Sequence, residues 1–466
     1  MGYDKKVIVK KALSKSGHIF NIWDLKCSIN KKVGNLKAEI IKSKEPIKWD
    51  DLDKSAFKPI KQWQSWGKRK EYADSFDCAW FHFTGQVPQK AKGKSVICRI
   101  KLQGEGLVFN PDGIVLQGIT QVLSKGDVFH SLIAKQRIDI TDKSTGDEKI
   151  DLYVDAGFNG KFRIRKCTAH LRRCDICIHD EEINQYYYDY IDLFFIMTVL
   201  DKESPRFKEI DKALKQSYKI YKKQGASAAR DFLKPTIEKK PEYQATTYYC
   251  IGHAHIDLGW LWPIRETKRK VARTFANQIR NLAIYDGFYF AESQPQMFEW
   301  LHEEYPEFFE RVKKYVLEGR IELQGGMWVE SDTNLTGGES WIRQCLYGQK
   351  YWKDNFDFKS RMCWLPDVFG FPATLPQVLK KSGMDYFMTI KLTSNDFNRF
   401  PYRSFNWVGL DGTKLLAHME PLGDYNAGNS PLAIIRSEDR YSEKDICDKA
   451  LLIYGDGDGG GGPGEG

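Results

Sequence analysis

From about residue 245 onward the chain alternates short apolar runs with amphipathic stretches, and that alternation leaves few folds open. TTYYCIG (246–252), FYFAE (288–292), RIELQGG (320–326), RMCWLPD (361–367) and YFMTI (386–390) read as buried strands, while QMFEWLHEEYPEFFERVKKYVLEG (296–319) carries helical spacing. Strand and helix in turn predict an α/β domain built on a parallel sheet or barrel. In such domains functional side chains collect where strands end, and polar residues here follow several of these runs directly.

The preceding sequence has a different character. From about residue 18 to 180, β-branched and aromatic runs such as CAWFHFTGQVP (78–88) alternate with Gly, Asp and Pro turns, which predicts an antiparallel β-sandwich. EEINQYYYDYIDLFFIMTVL (181–200) and FKEIDKALKQSYKIYKK (207–223) then carry apolar residues at helical spacing, separated by Ser204-Pro205. The chain thus divides into an N-terminal β-sandwich domain (1–180), a helical linker subdomain (181–240), an α/β catalytic domain (241–454) and a Gly-rich tail (455–466). By composition that tail, YGDGDGGGGPGEG, predicts a flexible linker, and no Lys-Ser/Thr follows to make it a phosphate loop.

Composition narrows the function classes. The net charge of +9 is spread over scattered lysines with no arginine-rich block, so nucleic acid is not an expected partner. No run approaches the ~18 apolar residues of a membrane span. Ten cysteines in 466 residues suit a reducing compartment better than a disulfide scaffold. The N-terminus lacks a signal-peptide core, and Lys6 spoils a myristoylation match. The expected location is cytoplasmic, and the sequon Asn334-Leu335-Thr336 agrees, since a glycan there would sit on the acidic cluster described next.

Four polar clusters carry candidate chemistry. In GHAHIDLGW, His255 and Asp257 stand two apart after a strand and can share one metal, whereas His253 reads as structural. An isolated His-x-Asp is more often a hydrogen-bonded loop pair. In GGMWVESDTNL, Glu330 and Asp332 follow two glycines that let backbone pass close to a ligand, with Trp328 as a wall. WLPDVFGFPATLP offers Asp367, and AHMEPLGDYNAG offers His418, Glu420 and Asp424. Singly, each is more often a turn or helix cap; four at strand ends favour function. Glycoside hydrolysis needs two carboxyl groups across the scissile bond, and a metal can bind sugar hydroxyls beside them. Deacetylases and metal-dependent phosphoesterases use similar sites. Cys174 and Cys177, with Cys167 and His170 upstream, form a weak zinc pattern that reads more readily as strand.

GEGLVFNPDG, GHAHIDLGWLWP, AESQPQMFEWL, GGMWVESDTNL, WLPDVFGFPATLPQ, SGMDYFMTIKL and YGDGDGGGGP, in this order, resemble glycoside hydrolase family 38, the α-mannosidases, in its cytosolic and bacterial branch. The resemblance implies a seven-stranded β/α barrel, one Zn²⁺ and a retaining, exo-acting α-mannosidase working on mannose-containing oligosaccharides. It implies His255, Asp257 and Asp332 as zinc ligands, with Asp332 also the nucleophile. Trp260 would floor the sugar site, Asp424 would be the general acid, and Asp367 would contact substrate or support the ligands. The family's remaining zinc ligand is a histidine in a C-terminal half that this chain does not reach. A truncated, inactive sugar-binding relative is therefore the alternative expectation. Assembly into a homo-oligomer is compatible with either.

Overall fold

The computed structural model describes residues 17–69, 77–120, 135–158, 167–240, 245–395, 397–398 and 400–464. The N-terminal domain is a two-sheet antiparallel sandwich. One sheet runs Asn30–Asn35, Arg173–His179, Ser95–Lys101, Arg137–Thr141. The other runs Lys58–Pro59, Lys37–Ser43, Asp77–Gln86, Lys149–Phe158, Glu105–Phe109, Val115–Ile119. Alternating residues of these strands, among them Phe81, Phe83, Val96, Cys98, Val108 and Val154, meet in one core. Cys174 belongs to that core and approaches the Leu36 carbonyl at 3.7 Å, while Cys177 three residues on takes the other face. His170 contacts Gln103 instead, so the described members of the weak zinc pattern do not converge.

Helices Glu181–Val199, Pro205–Gln224 and Ala226–Ile237 form the linker layer. The Asp180 carboxylate accepts from Ile183 N and the Ser204 hydroxyl from Phe207 N, each starting a helix, with Pro205 in the first turn. A fourth helix, His18–Ser28, joins them where the strand pattern was expected to begin. Leu25 and Ile29 enter the helical core, and His18 lies 2.6 Å from Tyr190 OH and 2.8 Å from Asp211. Tertiary burial thus outweighs the mixed local propensity of that segment.

The C-terminal region holds seven parallel strands in two sheets. Ile321–Leu323, Phe290–Glu292, Thr247–His253 and Lys449–Tyr454 make the first. Met362–Trp364, Tyr386–Thr389 and Lys414–Met419 make the second, extended by the antiparallel Ser404–Val408. Among the described residues no backbone ladder closes these sheets into the expected hydrogen-bonded barrel. Side chains join them instead: Trp364 and Met388 pack on Ile453, and Trp364 Nε1 donates to His253 Nε2 at 3.1 Å.

Helix Ile264–Ile284 is wedged between the sandwich and the first parallel sheet. Its facing strand must come close: a Cβ on Gly118 would meet the Arg273 carbonyl oxygen at 2.4 Å. Six buried charges cross this junction. Arg269 pairs with Asp155 and Glu266, Lys270 with Glu105, and Arg273 with Glu105 and Glu266. Three carboxylates against three cations leave no buried net charge, which is what makes such a cluster tolerable.

The Gly-rich tail is not a loose linker. Gln278 Nε2 and Lys135 Nζ donate to the Gly461 and Gly462 carbonyls, and Asp456 and Gly462 form a bridge. Glycine permits this compaction: Gly455 has φ +139°, and a Cβ there would sit 2.2 Å from the His253 carbonyl oxygen.

Candidate active site

The strand Thr247–His253 ends on a wholly buried imidazole. His253 accepts from Trp364, and burial, reinforced by His255, pushes its pKa down to about 3, so it is neutral and structural. Beyond the strand end the chain places His255 and Asp257. Parallel neighbours end at the same level: Phe290–Glu292 leads to Gln294, Ile321–Leu323 to Glu330 and Asp332, and Lys449–Tyr454 to Asp458. Met362–Trp364 in the second sheet leads to Asp367. These candidate side chains therefore stand in loops that follow parallel strands.

Gln294 ties two of the loops together. Its backbone has φ +63°, its Nε2 donates to the Ile256 carbonyl at 3.0 Å, and its Oε1 accepts from Glu330 N at 3.1 Å. A strained backbone kept by interactions on both sides is a common mark of a functional site. Glu330 in turn accepts from the Ser293 hydroxyl at 2.8 Å and lies 2.8 Å from His255 Nδ1. Burial works against charge on His255, but Glu330 and Asp257 outweigh it and raise its pKa well above the usual value.

His255 Nε2 is 3.7 Å from Asp257 Oδ1 and 3.7 Å from Asp367 Oδ2, beyond hydrogen-bond length. It and Asp257 Oδ2 are buried without a hydrogen-bond partner among the described residues. Donor atoms of His255, Asp257 and Asp458 all lie within 4.8 Å of one another. An imidazole and two carboxylates that converge, with unsatisfied buried atoms on His255 and Asp257, fit Zn²⁺. Asp332 does not join that set. Asp458, held by Tyr425 OH and Asn426 Nδ2 at 3.1 Å each, was missed in the sequence reading. Its signal was an aspartate just after LLIY, a run that pairs in parallel with the strand leading to His255.

Asp332 lines a pocket of about 320 Å³ with His255, Asp257, Glu330, Asp367 and Phe369. Its Oδ1 accepts from Asn334 N at 2.9 Å and Leu335 N at 2.7 Å, which fixes the carboxylate's orientation. The sequon side chain Asn334 donates to the Phe369 carbonyl. Asp367 pairs with Lys391 at 2.5 Å, and Lys391 sits 4.4 Å from the centre of the Phe369 ring. Lys391 is a second residue missed in the sequence reading, although it lies in SGMDYFMTIKL.

The remaining candidates do not line this pocket. Trp260 stands half exposed, edge-on to Trp262. Trp328 packs against Tyr351 and donates to Gln296. Asp424 closes a turn by accepting from Asn426 N at 2.9 Å. Near it Glu420 is wholly buried, and burial, with Asp424 adding to it, pushes its pKa up to about 8. His418 contacts Ser404 at 2.9 Å, away from the other histidines' loops.

Comparison with known proteins agrees with the family resemblance. Residues 245–465 match the model of "Glycosyl hydrolases family 38 N-terminal domain", and residues 33–187 match "Alpha-mannosidase, jelly roll domain". The chain is 34% identical to "Alpha-mannosidase G" of Dictyostelium discoideum, over 92% of this chain and 39% of that one. It is 30% identical to "Alpha-mannosidase" of Saccharomyces cerevisiae, over 84% of this chain and 38% of that one. To "Alpha-mannosidase 2C1" of Homo sapiens it is also 30% identical, over 82% of this chain and 37% of that one. The chain thus spans under two-fifths of the length of these relatives.

Proposed function

Because residues 245–465 belong to glycosyl hydrolase family 38, we propose that this protein is a retaining, exo-acting α-mannosidase that removes terminal α-mannosyl residues from oligosaccharides. The observation that supports it most is the single pocket shared by His255, Asp257, Glu330, Asp332 and Asp367. We assign Zn²⁺ to His255, Asp257 and Asp458, whose donor atoms converge. When bound, it supplies a Lewis-acidic anchor for sugar hydroxyls.

The protein's own groups then divide the work. Asp332 is the nucleophile that adds to the anomeric carbon, held in aim by the Asn334 and Leu335 amides. Glu330 orients His255 through Nδ1, leaving Nε2 toward the metal. Lys391 holds Asp367 at the pocket wall, where it can accept from a sugar hydroxyl, and Phe369 offers an exposed aromatic face to the ring. Asp424 is the proposed acid that protonates the departing oxygen, an assignment supported by its motif. Trp260 and Trp328 are proposed to bound the sugar site further out.

Its proposed place of action is the cytoplasm, on mannose-containing oligosaccharides. Among the described residues no helix is long and apolar enough to cross a membrane. Hydrolysis of p-nitrophenyl α-mannoside followed by proton NMR tests the reaction. Release of α-mannose as the first product is expected. β-Mannose first would overturn the retaining mechanism, and no release would overturn the activity.

A further inference from the structure

A second, larger cavity of about 710 Å³ lies where the sandwich, helix His18–Ser28 and helix Ile264–Ile284 meet. It shares no lining residue with the pocket of Asp332. Among the described residues, eight lysines and arginines line it against one carboxylate, Asp175. Asp175 is already engaged by Lys32 at 2.6 Å and Arg173 at 3.5 Å. Arg137 and Arg280 both pair with Asp139 at 2.6 Å.

Two cations are left over. Among the described residues, Arg99 and Lys101 meet no carboxylate within ion-pair distance and make no side-chain hydrogen bond. They alternate along one strand, Ser95–Lys101, so both leave the same face toward the cavity. Lys26 lies opposite on the N-terminal helix. All three have lowered pKa values. Burial is the first cause in each, followed by Arg99 for Lys26 and by Arg173 for Arg99 and Lys101. Half-buried cations that repel one another are held in place at a cost, and an anion placed among them relieves it.

We propose that this cavity binds a small ligand carrying two phosphoryl groups. Arginine forks match phosphate oxygens in pairs, lysines add point charge, and Arg99 and Lys101, which meet no carboxylate among the described residues, suit a ligand of several negative charges. The volume falls within the usual ~300–1,000 Å³ of a small-molecule site. The charges line a partly open concavity of limited size, which suits a compact polyanion better than a nucleic-acid strand. Trp23, largely exposed at the lining, can cover a base or sugar ring on the ligand.

Isothermal titration with tripolyphosphate tests this on the whole chain, with EDTA present so that metal chelation adds no heat. Saturable one-to-one binding is expected, weakened at least about tenfold in Arg99→Gln and in Lys101→Gln, the loss appropriate to one charge-assisted hydrogen bond. Both variants should melt no lower than the parent without ligand, because each removes a repelling charge. Tripolyphosphate should also raise the parent's Tm where sodium chloride of equal ionic strength does not. Parallel titrations with a nucleoside diphosphate and a hexose bisphosphate distinguish the two sources of the phosphoryl pair. Absence of saturable binding, or equal affinity in both variants, would overturn the proposal.

Discussion

His255 Nδ1 lies 2.8 Å from Glu330 Oε2, although the two residues follow different strands of the sheet. Glu330 stands on the Nδ1 side of the ring, and Nε2 is the nitrogen that lies 3.7 Å from both Asp257 and Asp367. Partners of this kind tune metal affinity without touching the ion. Glu330→Gln should keep the fold and weaken zinc binding by about 10–100-fold, read by competition with a chromophoric chelator. Unaltered affinity would show that the pair does not orient the ligand.

His255→Ala and Asp458→Asn test the donor set itself. His255→Ala should lose zinc and activity together. Asp458→Asn keeps the side chain's shape and its contact with Tyr425, but gives up one charged donor. Its zinc content after dialysis should fall well below the parent's. Full occupancy in either variant would remove that residue from the ligand set.

Asp424→Asn separates an acid from a turn residue. If Asp424 protonates the leaving group, the variant should lose about 10²–10⁴-fold on mannosides with poor leaving groups and keep most turnover on dinitrophenyl α-mannoside. Equal loss on both substrates, with a lowered Tm, would assign it to the turn it closes with Asn426.

The parts legible in the sequence were those governed by periodicity and by local order along the chain. Strand-helix alternation after residue 245 and the antiparallel runs before 180 both appear in the structure. The candidates His255, Asp257 and Asp367 were legible because each follows its strand within a few residues, and Glu330 and Asp332 because the longer loop after Ile321–Leu323 carries them. Asp458 was hidden by its neighbours: glycine composition argues for flexibility, while the ordering comes from Gln278 and Lys135 far away in sequence. Helix His18–Ser28 was hidden for a similar reason, since its stabilising contacts are with Tyr190 and Asp211. Long-range contacts of this kind leave no local pattern.

The buried charge cluster between sandwich and catalytic region predicts a pH response. Burial raises the Glu266 pKa, but Arg269 and Arg273 outweigh it and hold it at about 2, below the usual 4.5. A lowered folded-state pKa stabilises fully above pH 4.5 and loses that contribution as pH falls toward 2. The urea midpoint should therefore drop steeply across that window. Glu266→Gln should flatten the slope and cost about 3–5 kcal/mol at neutral pH, because it leaves buried guanidinium groups short of a partner. An unchanged slope would place the acid sensitivity elsewhere.

The most direct test of the account is the turnover of p-nitrophenyl α-mannoside by the zinc-loaded chain beside its Asp332→Asn variant. The parent should release nitrophenol. The variant should bind zinc normally, because Asp332 lies outside the set of converging donors, and be slower by about three orders of magnitude or more, as expected when a nucleophile is removed. Turnover by Asp332→Asn equal to that of the parent, or none by either at full zinc occupancy, would contradict the assignment of this pocket as an α-mannosidase active site.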